Sequence, residues 1–113
     1  MVVSVKYSRI GDQVFIQIPI GFSTTAASGT TFYESSTALP VAFRPLTETT
    51  ATIMVRIINN QLIGIFRVFV TGIMRFQPLV QSVVAGITST YEGSFPNSTA
   101  CGILTSQNVS YFI

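Results

Sequence analysis

Acids, bases, nucleophiles and metal ligands are sparse in this 113-residue chain, which has no histidine, one cysteine, one lysine and four carboxylates. Histidine is the commonest general base and metal ligand, so its absence removes the usual partner of a nucleophile or a zinc ion. Cys101 has no imidazole to draw off its proton, and a thiol without a base is a weak nucleophile. As a small hydrophobe it suits a core or core-boundary position instead. Asp12, Glu34, Glu48 and Glu92 are widely separated and fit no metal-loop pattern; only folding could bring Glu34 and Glu48 together as an acid–base pair. Lys6 lies in an alternating apolar–polar run, the setting of a solvated strand face rather than of a Schiff base. No Gly-rich phosphate loop ending in Lys occurs. The sequence therefore assigns no catalytic residue, no metal and no cofactor, and the chain is expected to work by surface contact rather than as an enzyme.

Contact chemistry rests on aromatic rings placed in polar stretches. Tyr91 and Phe95 fall within Thr90 to Gly102, and Tyr33 within Gly21 to Ala38. A loop tyrosine is a rigid, amphipathic surface for a sugar ring or a protein side chain, so these three are the candidate receptor or glycan contacts. The competing role of such rings is to fold inward and close the end of a sandwich. Two sequons, Asn97-Ser98-Thr99 and Asn108-Val109-Ser110, would be used only in a secretory pathway.

Alternation marks the elements that must position these residues. Val3, Val5 and Tyr7, then Val14, Ile16 and Ile18, alternate with polar residues and are joined through Gly11, which gives an opening hairpin. Gly21 to Ala38 is a long connection with room for one short strand, and Pro40 and Pro45 bracket an edge or connector at Val41 to Arg44. Ala51 to Ile58 and Gln61 to Val70 form a second hairpin turning at Asn59-Asn60, with both strand faces largely apolar. Ile53, Val55, Ile57, Phe66, Val68, Tyr111 and Ile113 are the expected core. Thr71-Gly72 bends the chain and Pro78 ends the run from Ile73. Leu79 to Tyr91 fits a helical turn as well as a strand, Gly93 to Gly102 reads as a loop, and Asn108 to Ile113 as a closing strand. Short strands separated by turns, with no repeat, give an all-β chain: one domain over residues 1–113, an antiparallel β-sandwich of jelly-roll type.

Composition adds an expectation about assembly. Apolar residues make up 48% and charged residues 9%, against about 25% charged in an ordinary soluble domain. Arg56, Arg67 and Arg75 interrupt the most apolar stretch too often for a membrane helix, so no membrane insertion is expected. Met1 to Lys6 lacks the layout of a signal peptide. The basic residues are scattered rather than gathered on one face, which argues against nucleic acid. What tolerates so few charges is burial against other chains, and a homotrimer is expected.

Four segments together resemble a known family. They are Val5-Lys6-Tyr7-Ser8-Arg9-Ile10-Gly11-Asp12-Gln13-Val14, Leu39-Pro40-Val41-Ala42-Phe43-Arg44-Pro45, the Asn59-Asn60 hairpin leading to Gly64, and Val109-Ser110-Tyr111-Phe112-Ile113. In this order the chain resembles the C-terminal head domains of phage and large-DNA-virus fibre proteins. The resemblance implies a jelly-roll head, usually a homotrimer on the virion surface, that binds a host surface receptor or glycan or caps the fibre. No repetitive stalk precedes Val2, and a structural capsid or cement role among other virion proteins is the alternative expectation. A free carbohydrate-binding β-sandwich is a second one.

Overall fold

The computed structural model describes residues 4–23, 32–58, 60–93, 95, 101–103 and 105–113. Among the described residues ten strands follow one another: β1 (Lys6–Ile10), β2 (Gln13–Ile18), β3 (Gly21–Ser23), β4 (Tyr33–Glu34), β5 (Thr49–Ile57), β6 (Asn60–Val68), β7 (Met74–Val84), β8 (Ile87–Glu92), β9 (Cys101–Ile103) and β10 (Gln107–Phe112). A single 3-10 turn, Val41–Phe43, is the one helical element among the described residues.

The strands make two antiparallel layers, a small sheet ordered β1-β2-β10 and a large sheet ordered β3-β9-β5-β6-β7-β4, with β8 paired to β7. The pairs are nested: β5 with β6, β4 with β7, β3 with β9, β2 with β10. Beside these nested pairs β6 pairs with β7, β7 with β8 and β5 with β9, and the antiparallel layers are compatible with a jelly roll. The protein is an all-β sandwich.

Alternation explains which side of each strand is covered. Val14, Ile16 and Ile18 of β2 and Val109 and Tyr111 of β10 point inward, against Ile53, Val55, Phe66 and Val68 of the large sheet. All nine are buried, and five of them were expected in the core; Ile57 and Ile113 are half-buried and pack against it. Gln107 ties the two layers by its side chain. Its Oε1 accepts the Met54 N–H at 2.6 Å and its Nε2 donates to the Met54 carbonyl at 2.8 Å, as a neighbouring strand would do.

Four local expectations change. The second hairpin pairs Ile57 with Asn60, so the turn starts one residue early, at Ile58 (φ 57°); Asn59 lies outside the described residues. Pro78 does not end its strand. It sits where β7 passes from β6 to β8; its carbonyl accepts the Gly93 N–H at 2.8 Å, and the Gly93 carbonyl, which proline has no N–H to serve, accepts the Gln77 side-chain amide at 3.3 Å. Leu79 to Tyr91 is a hairpin whose turn, Ala85-Gly86, has positive φ at both residues (53° and 79°), the type I′ requirement. Cys101 and Gly102, expected in the loop from Gly93 to Gly102, open the buried strand Cys101–Ile103 between β3 and β5.

Candidate functional site

Three of the four segments that carry the family resemblance meet in space, the hairpin that leads to Gly64 standing apart. Tyr7 of β1 stands edge-on to Phe43 in the 3-10 turn, ring centroids 4.9 Å apart. Arg9 donates to the carbonyls of Gly11 and Ala42, each at 2.6 Å, so one guanidinium holds both its own turn and the connector. The buried Tyr111 hydroxyl donates to the Phe43 carbonyl, and the Ile113 N–H donates to the Asp12 carbonyl at 2.7 Å. Burial pushes the Tyr111 phenol up to about 12. Arg44 donates to the Leu39 carbonyl at 2.8 Å, and Leu39, buried, donates its N–H to Gly72. Gly72 has φ +86°, and a Cβ there would lie 2.8 Å from the Leu39 carbonyl oxygen, so only glycine fits. Opening hairpin, connector and closing strand form one latch, and the motifs in them are architectural.

Beside the latch, a cleft of about 510 Å³ opens between the two layers. Its floor is Ile18, Leu39, Phe66, Met74 and Phe76, with Tyr7 and Tyr33 as walls and Ser35, Ser36 and Thr37 on the rim. Both ends of the rim segment are pinned to the region of β7. Ser35 donates its N–H to the Met74 carbonyl at 2.8 Å and its hydroxyl accepts the Met74 N–H at 3.0 Å, while Leu39 bonds Gly72. Ser36, Thr37 and Ala38 between them are exposed. The cleft thus combines an apolar floor with a rim of hydroxyls.

The three sequence candidates occupy different places. Tyr33 pairs with Phe76 across β4 and β7, is half-buried and lines the cleft. Phe95 is 2% exposed and packs on Tyr33 at 4.9 Å and Phe76 at 5.8 Å, so its ring is buried against the aromatic cluster. Tyr91 pairs with Val80 in the β7–β8 ladder, and its side chain lies outside the described ones. Asn97 and its sequon also lie outside the described residues. Tyr7 was missed as a cleft residue, because its regular alternation with Ser4, Lys6 and Ser8 marks it as a strand residue and nothing more.

The titratable groups are spread out. Cys101 is buried and its thiol is pushed up by desolvation, which makes a thiolate harder to form. Glu34 does not meet Glu48: its carboxylate takes Arg75 Nη2 at 2.7 Å and Nε at 3.0 Å, while Glu48 lies 3.7 Å from Arg67. Among the described residues no three His, Cys, Asp or Glu side chains gather, and no helix is long and apolar enough to cross a membrane. Compared with protein-family models, curated proteins and solved structures, the chain matches none of them.

Proposed function

We propose that this protein is a homotrimeric head domain at a virion surface that binds a host-surface glycan or receptor without catalysis, using the interlayer cleft as its contact site. The observation that carries this reading is the latch: three of the four segments that resemble viral fibre heads are held to one another by hydrogen bonds and a ring contact on an all-β sandwich. The cleft supports the ligand class. A sugar ring has one apolar face and a rim of hydroxyls, which match the Tyr7 and Tyr33 walls and the Ser35 to Thr37 rim. Cys101 is sequestered from solvent and Glu34 is engaged with Arg75, so the groups nearest to chemistry serve packing and pairing.

The test is binding to host cells and to a glycan array, compared between the parent protein and Thr37→Trp. The substitution fills the cleft mouth from an exposed position and should abolish binding while leaving Tm unchanged. Retained binding by Thr37→Trp, or no binding by the parent to either target, overturns the assignment of the cleft.

A further inference from the structure

The interlayer cleft is polar at its mouth and uncharged within. Among the described residues that line it, Glu34 alone carries a formal charge, and its carboxylate is directed elsewhere. Tyr33 and Glu34 alternate along β4: Tyr33 faces the core beside Phe76, while Glu34 takes Arg75 on the opposite face of the sheet at 2.7 Å and 3.0 Å. Arg75 is thereby engaged outside the cleft, over the rings of Phe32 and Phe69. Arg44, the cation of the connector, donates Nε to the Leu39 carbonyl and is not among the lining residues. An acid group carried into this space would give up its water and meet no cation in return, and an unpaired buried charge is among the costliest groups to hold.

Depth divides the rest of the lining. The hydroxyls belong to the rim, where Ser36 and Thr37 are exposed and Ser35 already accepts the Met74 N–H. Below them, the side chains of Ile18, Leu39, Phe66, Met74 and Phe76 hold no nitrogen or oxygen atom. A ligand hydroxyl pressed onto that floor would lose its bonds to water without replacement, whereas a methyl group gains by leaving water.

We propose, building on the reading of the cleft as a glycan site, that it selects a neutral 6-deoxyhexose, seated with its methyl group on the floor and its ring hydroxyls at Ser36 and Thr37. Such a sugar ends in a methyl where an ordinary hexose has a hydroxymethyl, so one end is apolar, the ring is polar and no part is charged. An ordinary hexose would bury a hydroxyl against the floor, and a sialic or uronic acid would bring in a carboxylate. An N-acetylhexosamine also carries a methyl, but through an amide whose N–H and carbonyl would need partners that the floor side chains do not supply.

Ligand-observed NMR titration of the parent protein with the methyl glycosides of L-fucose and L-galactose, of L-rhamnose and L-mannose, and of D-fucose and D-galactose, together with sialyllactose, tests it. The members of each pair differ only in one hydroxyl. At least one deoxy sugar should bind, its hydroxylated counterpart should bind roughly 10- to 100-fold more weakly, and sialyllactose should not bind. Thr37→Trp should abolish the binding at an unchanged Tm. Binding of a hydroxylated sugar as tight as that of its deoxy counterpart, or binding of sialyllactose, overturns the selectivity alone if Thr37→Trp abolishes it. A parent that binds other glycans on an array but none of the three deoxy sugars does the same. A parent that binds no glycan, or whose glycan binding survives Thr37→Trp, overturns the cleft as a glycan site and this selectivity with it.

Discussion

The outer faces of the two sheets are built from opposite materials. On the large sheet, Arg75 is held by Glu34 and lies over the rings of Phe32 at 3.7 Å and Phe69 at 4.8 Å, and the neighbouring Arg67 faces Glu48. On the small sheet, Ile10, Phe15 and Phe112 stand among serines, glutamines and one lysine. With only ten charged residues in the chain, four spent on one sheet face leave little for the other. Charge is thus a directional label in this molecule: the large-sheet face carries the ion pairs, and the small-sheet face carries exposed apolar side chains.

The largest expected effect strikes the layer both faces share. Phe66→Ala, in the inner face of β6, should cost about 3–5 kcal/mol in denaturant unfolding. Both sheets should be lost in one transition; a variant that keeps either sheet would break the view that one core supports two differing faces.

Next comes the latch below the small sheet. Tyr111→Phe removes the hydroxyl that Phe43 accepts and should cost about 1 kcal/mol at neutral pH. The sign of its pH dependence follows from the raised phenol. Unfolded, Tyr111 ionises near 10.0; folded, it keeps its proton to about 12. Between those values the folded chain binds more protons than the unfolded one, so this contribution is full below pH 10 and is lost as pH rises toward 12. Thermal melts should show that alkaline decline in the parent, and a weaker one in Tyr111→Phe.

Smaller again is Glu34→Gln on the charged face. The ion pair is only partly shielded from solvent, so the loss should stay within about 1 kcal/mol and shrink in high salt. A salt-independent loss would mean that the carboxylate acts by packing, and the contrast between faces would weaken. The smallest expected change is Phe112→Ser. At 74% exposure it should shift the stability of an isolated chain by less than about 0.5 kcal/mol. A drop of several kcal/mol would show that this ring belongs to the fold of its own chain and not to a surface.

Much of this plan was legible in the residues. Ile53, Val55, Phe66, Val68 and Tyr111 are expected in the core from the sequence and each is buried, although on the β5–β6 hairpin both faces are largely apolar and alternation alone does not choose between them. The hairpin at Ala85-Gly86 escaped notice for a physical reason: alanine with positive φ is outside the Asn-Gly vocabulary of tight turns, and the run Val83-Val84 before it looks equally apolar on both faces. The turn at Ile58 escaped likewise, since core register outweighs the local preference of a β-branched residue. The strand Cys101–Ile103 is three residues in a polar stretch, too short for any period to show. The cleft could not be read from sequence, because Tyr7, Tyr33 and Phe76 reach it from strands that only the nested pairing brings together.

That nesting also sets an order of events in time. Ile57 and Asn60 close the innermost pair across three positions, whereas Ile18 must find Gln107 across almost the whole chain. Contacts so distant in sequence are slow to form, so refolding is expected on the millisecond-to-second scale of non-local β-sheet proteins. The central hairpin should gain amide protection first and β10 last. Until Gln107–Phe112 arrives, β2 has only β1 beside it and Val14, Ile16 and Ile18 lack the second neighbour that completes their layer, so the half-finished chain is at its most adhesive just before it is done.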